Sequence, residues 1–312
     1  MDHSEKNVPA IEIEKLCVEF VAPSGKKRVA VDQLDFTVNA GECVGLIGPN
    51  GAGKTTTIKV LMGFLRPTSG TARVLGDSAG ARRTLKRLGY LPEVALYYPF
   101  LTARETLQMY ATLGEIPSQD HNRVVDELLD LVGLAGRDRE PLRHFSKGML
   151  QRIGIAQAIM GNPELLILDE VTSGLDPVAR YDVRDILLKF KSRNCTVFFS
   201  SHELSEVALI CDRVVLMDNG KILEEHRLNE LQDKIRRHVA TVKVNEFSPA
   251  VERGVSIYPV YDGVWRLVAQ SRPALDRAVH QIVDGKGEII DIHEETGSLE
   301  DYFVQVVGHR IT

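Results

Sequence analysis

Eight residues, Gly48-Pro49-Asn50-Gly51-Ala52-Gly53-Lys54-Thr55, constrain this chain more than any other feature. They fit G-x-x-x-x-G-K-[ST], a loop whose backbone wraps nucleotide phosphates. Its glycines let consecutive N–H groups turn toward one anion with no Cβ in the way. Lys54 supplies a point charge for the terminal phosphates, and Thr55 a hydroxyl for Mg²⁺. The pattern arises by chance in roughly 1% of chains this long. Its flanks narrow the odds further. Cys43–Ile47 is an apolar run suited to a buried strand, and residues 56–62 place Ile58, Leu61 and Met62 on one helical face. Strand, glycine-rich loop and helix form the setting such a loop requires.

The chain has 312 residues, enough for about two domains without covalent staples. A net charge of -5 argues against a nucleic-acid partner, and none is expected. Cys17, Cys43, Cys195 and Cys211 are scattered and form no C-x-x-C pair. They read as buried small hydrophobes in a reducing compartment. The first seven residues are polar, unlike a signal peptide, and no apolar run approaches the roughly 18 residues that would span a bilayer. Any membrane role is expected to pass through a separate subunit.

Residues 10–38 alternate in pieces. Leu16, Val18 and Phe20 fall on one strand face and Leu34, Phe36 and Val38 on another, with Pro23-Ser24-Gly25 as the turn. Residues 102–135 and 146–161 carry helical spacing, so a helical insertion is expected between the phosphate loop and the next apolar strand, Leu165–Leu168. Asp176 and Pro177 open a helix, and residues 196–200 form a buried strand. Asp218-Asn219-Gly220 signals a hairpin. From about residue 235 the pattern becomes strand, hairpin at Asp262-Gly263, amphipathic helix, strand, and a last helix capped around Ser298 and carrying Leu299, Phe303 and Val306. The expected fold class is α/β. It has a P-loop NTPase core with an antiparallel β subdomain and an α-helical subdomain at about 94–160, filling residues 9–230. A small C-terminal α+β domain occupies 235–312.

The strand Leu165–Leu168 ends in Asp169-Glu170. Ligands of open α/β sheets bind at the C-terminal ends of strands. There Asp169 can hold Mg²⁺, and Glu170 can orient or deprotonate a water attacking the γ-phosphate. His202 follows a strand expected beside that of Asp169, from where it can bond the γ-phosphate. Ser146, at a helix start, makes a second anion site. Two anion sites far apart in sequence suggest a head-to-tail dimer in which each chain closes on the partner's nucleotide.

With these motifs in this order, the chain resembles the ATP-binding subunit of an ATP-binding cassette (ABC) transporter. Residues 48–56 match the first phosphate motif and residues 145–149 the signature usually read L-S-G-G-Q. Residues 165–170 match the second nucleotide motif, 173–176 the dimer-contact loop, and His202 the switch histidine. The resemblance implies ATP hydrolysis driving transport.

 
That activity is expected to need ATP and Mg²⁺, and to run in a homodimer bound to integral-membrane permease subunits on the inner face of the cell membrane, facing the cytoplasm. Export is the direction implied. In this setting Lys54, Glu170, His202 and Glu93 are the implied catalytic set. Gly48, Asn50, Gly51, Ala52, Gly53, Thr55 and Thr56 hold ATP with Lys54. Thr55, Asp169 and Glu93 hold Mg²⁺. Ser146 and Gly148 touch the γ-phosphate of the nucleotide held by the other subunit, and Asp176, in the dimer-contact loop, is counted among the nucleotide-binding residues. Phe20 either stacks on adenine or packs in the strand core. Residues 94–100, with Tyr97, Tyr98 and Phe100, either dock a permease helix or pack internally. The alternative function is a cassette ATPase acting on DNA or the ribosome; a single phosphate loop and no sustained heptads speak against it. Four residues, making three departures, differ from the family pattern. Lys147 and Met149 replace Gly and Gln, Glu93 replaces a glutamine, and Val171 replaces a proline. Leu91-Pro92-Glu93 and the Phe145–Met149 variant resemble cassettes that serve ABC-2-type permeases.

Overall fold

The strand β3, Cys43–Ile47, is buried at every position, as its apolar run requires of a strand covered on both faces. It lies in a six-stranded sheet of order β10-β9-β3-β8-β7-β6. Its members are β6 (Leu88–Leu91), β7 (Leu165–Leu168), β8 (Thr196–Ser201), β9 (Arg213–Asp218) and β10 (Lys221–Arg227). Pairings from β9 through β6 are parallel, and β9 turns into β10 as an antiparallel hairpin. Asn219 and Gly220 both have positive φ there, the conformation that short hairpin turns demand. A computed structural model describes residues 8–22, 24–203, 207, 209–244, 254–297, 302 and 306, and structural statements refer to these.

A second, antiparallel sheet has the order β2-β1-β4-β5, from β1 (Ile11–Val21), β2 (Lys27–Val38), β4 (Ser69–Val74) and β5 (Asp77–Ser78). Ile13, Leu16, Val31 and Phe36 of this sheet share one apolar core with Val44, Leu46, Ile58, Leu61 and Phe198. Burying each such side chain contributes about 1.5–3 kcal/mol. Two short helices near the start of the chain are α1 (Lys54–Leu61) and α2 (Arg82–Leu85). The expected insertion contains α3 (Ala103–Leu113), α4 (His121–Leu131) and α5 (Lys147–Ile159). Thr102 and Glu105 close a reciprocal capping box on α3. Then α6 (Pro177–Lys191) opens with Asp176 Oδ1 accepting from Ala179 N at 2.9 Å.

The chain divides into two compact units, Met1–Arg227 and Leu228–Thr312. The second contains α7 (Leu228–Ile235), β11 (Arg236–Lys243), β12 (Val255–Tyr261), β13 (Val264–Ala269), α8 (Arg272–Asp284) and β14 (Glu288–Thr296). Its antiparallel sheet runs β12-β13-β11-β14. Leu275, Ala278, Val279 and Ile282 of α8 pack with Ala240, Val242 and Leu267 of the sheet. The cap expected around Ser298, with Leu299 and Phe303, lies outside the described residues, as does Pro23.

Two sequence expectations require correction. Phe20 does not share the buried face of Leu16 and Val18: it is 45% exposed, whereas they are buried. The register of β1 on β2 shifts between Ile13 and Leu16, between Leu16 and Val18 and between Val18 and Glu19, and after the last shift the period-two burial is lost. Cys17 is only half-buried, unlike Cys43, Cys195 and Cys211. Its Sγ accepts from Gln33 N at 3.3 Å.

Candidate functional site

Three parallel neighbours, β3, β8 and β7, end at one edge of the sheet. The phosphate loop follows β3, His202 follows β8, and Asp169-Glu170 follow β7. Sheet order thus brings together residues more than a hundred positions apart. The loop then runs into the N-terminus of α1, where free N–H groups and the helix dipole favour an anion. Two glycines are needed on steric grounds. A Cβ on Gly48 would lie 2.1 Å from Met217 O. Gly53 has φ +110° as well as Ala30 O only 2.5 Å from a Cβ position.

Lys54 is buried with its Nζ 2.6 Å from Gly48 O, donating to it, and 3.1 Å from Glu170 Oε1. Glu170 is also buried, and its other oxygen, Oε2, accepts from His202 Nδ1 at 2.6 Å. A carboxylate has no proton to give, so this bond requires the imidazole proton on Nδ1. Glu170 has φ +51°, a left-handed conformation uncommon for a residue with a Cβ. Asp169 Oδ1 accepts from Thr55 Oγ1 at 3.2 Å and from Ser200 Oγ at 2.6 Å. The lysine, both acids, the loop hydroxyl and the histidine therefore form one connected network. Its Asp169 and Thr55 oxygens, with Glu93 on the cleft wall, are hard donors of the kind Mg²⁺ takes. Among the described residues no cluster of three or more His, Cys, Asp or Glu forms a metal cage. Few protein ligands suit Mg²⁺, which usually leaves positions to water and phosphate.

The network opens on a cleft of about 490 Å³ lined by Phe20, Arg28, Ala30, residues 50–56, Glu93 and Glu170. Small-molecule sites typically enclose about 300–1,000 Å³. Phe20 and Arg28 are direct cross-strand partners on β1 and β2, so the aromatic face and the cation stand side by side. The core-packing alternative for Phe20 is excluded by its exposure. Arg28 escaped sequence reasoning: it reads as one of three consecutive surface cations, Lys26-Lys27-Arg28, until register places it opposite Phe20. Ser200 escaped it too, being one more residue of a buried strand.

Ser146, Gly148 and Asp176 are not among the described residues that line this cleft. Ser146 caps α5, its Oγ accepting from Met149 N at 3.3 Å. Gly148 sits against α6, where a Cβ would come 2.9 Å from Ala179 Cβ. The replaced signature residues are accommodated locally. Met149 is buried with its Sδ accepting from Arg137 Nη1 at 3.2 Å, and Lys147 runs beside Gly174. Val171 is buried, and its carbonyl accepts from Gln151 Nε2 of α5 at 2.8 Å. In residues 94–100, Val94, Leu96, Tyr98 and Phe100 are exposed, whereas Tyr97 turns inward with its hydroxyl shielded from solvent.

Residues 31–173 match the model of the ABC transporter family. An uncharacterized ABC transporter ATP-binding protein of Nostoc sp. is 38% identical over 289 residues, covering 92% of this chain and 86% of that protein. The bacitracin transport ATP-binding protein BcrA of Bacillus licheniformis is 37% identical over 290 residues, covering 89% of this chain and 92% of that protein. A solved ATP-binding subunit of an ABC transporter superposes with a TM-score of 0.63 at 30% identity, over 72% of this chain and 92% of that one. A dimeric ATP-binding cassette bound to ADP and Pi gives a TM-score of 0.64 over 70% of this chain and 98% of that one. Its identity is 20%, so that likeness is one of fold alone.

Proposed function

This chain belongs to the ABC transporter family as an ATP-binding, ATP-hydrolysing subunit, and on that premise we propose that two copies enclose two Mg·ATP between them to drive a separate membrane permease. The observation that carries the reading is the network of Lys54, Thr55, Asp169, Glu170 and His202 at one sheet edge. Adenine stacks on Phe20, and the triphosphate runs along residues 48–56 with Arg28 beside it. Thr55 and Asp169 hold Mg²⁺, with Glu93 at the cleft wall. The ion, when bound, neutralises charge on the β- and γ-phosphate oxygens.

Glu170 accepts the proton of the attacking water. Before that it must exchange its bonds to Lys54 and His202 for one to water. The γ-phosphate provides the exchange, because it offers the lysine and the histidine an anion of higher charge. Ser146 and Gly148 of each copy complete the partner's site, and Asp176 contributes from the contact loop. His202 and Glu93 then report phosphate occupancy.

The exposed strip of Val94, Leu96, Tyr98 and Phe100 receives the permease, which holds the subunit at the inner face of the membrane. Among the described residues no helix is long and apolar enough to cross a membrane itself. The resemblance to cassettes of ABC-2-type permeases favours export, and the bacitracin transport relatives make bacitracin the first cargo to test. The central test is Glu170→Gln. Turnover should fall at least about 100-fold, the usual worth of a positioned base, while ATP drives a stable dimer seen by light scattering. Wild-type phosphate release by this variant would remove the base assignment.

A further inference from the structure

Every residue of β8 is buried, and Phe198 and Phe199 precede Ser200 in the strand. A hydroxyl in such a place needs partners, since a buried polar group without them is costly. Ser200 has two, and both are functional residues. Its Oγ donates to Asp169 Oδ1 at 2.6 Å and accepts from Glu170 N at 3.0 Å. A hydroxyl carries one proton and two lone pairs, so one Ser200 satisfies both bonds at once.

We propose that Ser200 is a positioning residue for hydrolysis, its one hydroxyl setting both acids. The proposal rests on the reading of Asp169 as metal ligand and Glu170 as base. Register explains the placement: Leu168 pairs with Phe199, so one step further Asp169 and Glu170 leave β7 beside Ser200. On one side, Ser200 and Thr55 bond the same oxygen, Oδ1, and fix the plane of the carboxylate. On the other, Ser200 holds the N–H of a residue at φ +51°, a conformation that persists only when its surroundings enforce it. Ser200 O, 3.2 Å from the same N–H, shares that role. The histidine that bonds Glu170 stands two residues beyond Ser200. One strand end therefore sets the side chain of one acid and the backbone of the other.

The test is Ser200→Ala in the full chain, which removes a single oxygen from a buried site, compared with Ser200→Thr. Outer-shell partners of metal sites are typically worth about 10- to 100-fold. The alanine variant should lose about tenfold in kcat and need at least about fivefold more Mg²⁺ for half-maximal rate. KM for ATP at saturating Mg²⁺, and ATP binding in EDTA, should stay within about twofold of wild type, since neither depends on the placement of the acids. Threonine should restore the Mg²⁺ midpoint. That midpoint is independent of how much protein is folded, so a packing role alone would leave it where it was. An unchanged midpoint in Ser200→Ala overturns the proposal, whatever happens to kcat. Glu170→Gln separates the two levels: if it hydrolyses ATP normally, the base reading fails. If it is inert while Ser200→Ala has a wild-type Mg²⁺ midpoint, only the role of Ser200 fails.

Discussion

Phe20 ends up on the cleft beside the phosphate loop because β1 slips its register three times before reaching it. A ring released from the core in this way is free to offer its face to a base. Aromatic–base stacking is worth about 1–3 kcal/mol by alanine substitution, which corresponds to roughly a five- to hundredfold change in affinity. Phe20→Ala should therefore raise KM for ATP by at least about fivefold while leaving kcat near wild type, because stacking on adenine is equal in ground and transition states. A loss of kcat with unchanged KM would place the ring elsewhere in the mechanism. The cysteines show the opposite fate, burial without chemistry. Desolvation pushes the Cys195 thiol up to about 11 and raises that of Cys211 well above its usual value. Raising a thiol pKa favours the neutral, unreactive form, so both should resist iodoacetamide at pH 8 until the chain unfolds. Half-buried Cys17 should be alkylated first, and mass mapping of the labelled peptides gives the order.

Elements governed by local chemistry were legible from the sequence. Asp218-Asn219-Gly220 signals its hairpin through residues that tolerate positive φ, and Asp176-Pro177 announces α6 through a cap and a fixed φ. Elements governed by partners were not. Ser69–Val74 contains a glycine and mostly exposed side chains, and it becomes a strand by pairing with β1. Within the site, the motifs named Lys54, Asp169, Glu170 and His202. Arg28 and Ser200 become visible only once strand register is known, because nothing in their own neighbourhoods sets them apart. The cap of α6 offers a check at this scale. Losing it in Asp176→Ala should cost about 1 kcal/mol, a drop in Tm of about 2–4 °C for a domain of this size. Asparagine caps as well as aspartate, so Asp176→Asn should melt like wild type in a calorimeter. A fall in ATPase rate in the asparagine variant would then come from the lost charge, not from the helix.

For the whole molecule, the decisive feature is that the two places proposed to bind phosphate do not share a cleft. Phe20, residues 50–56, Glu93 and Glu170 line one cavity, and Ser146 and Gly148 stand apart at the start of α5. A site assembled from two copies makes a prediction that a self-contained site cannot. Consider Lys54→Ala, which spoils the phosphate loop, and Ser146→Arg, which spoils the second anion site while removing a cap worth about 1 kcal/mol. Each should be inactive as a homodimer. In a mixed dimer, one composite site inherits both defects, while the other combines an intact Lys54 with an intact Ser146. Random mixing puts half of the dimers in that mixed state, and each retains one of two sites. Phosphate release should thus recover to about a quarter of wild type if the sites work independently, and to less if they are coupled. A single-chain site leaves every molecule in the mixture defective. Recovery above the sum of the two variants, rising with protein concentration as dimers exchange, supports the two-chain site. Activity no greater than that sum, in a mixture shown by mass spectrometry to contain the mixed dimer, removes it.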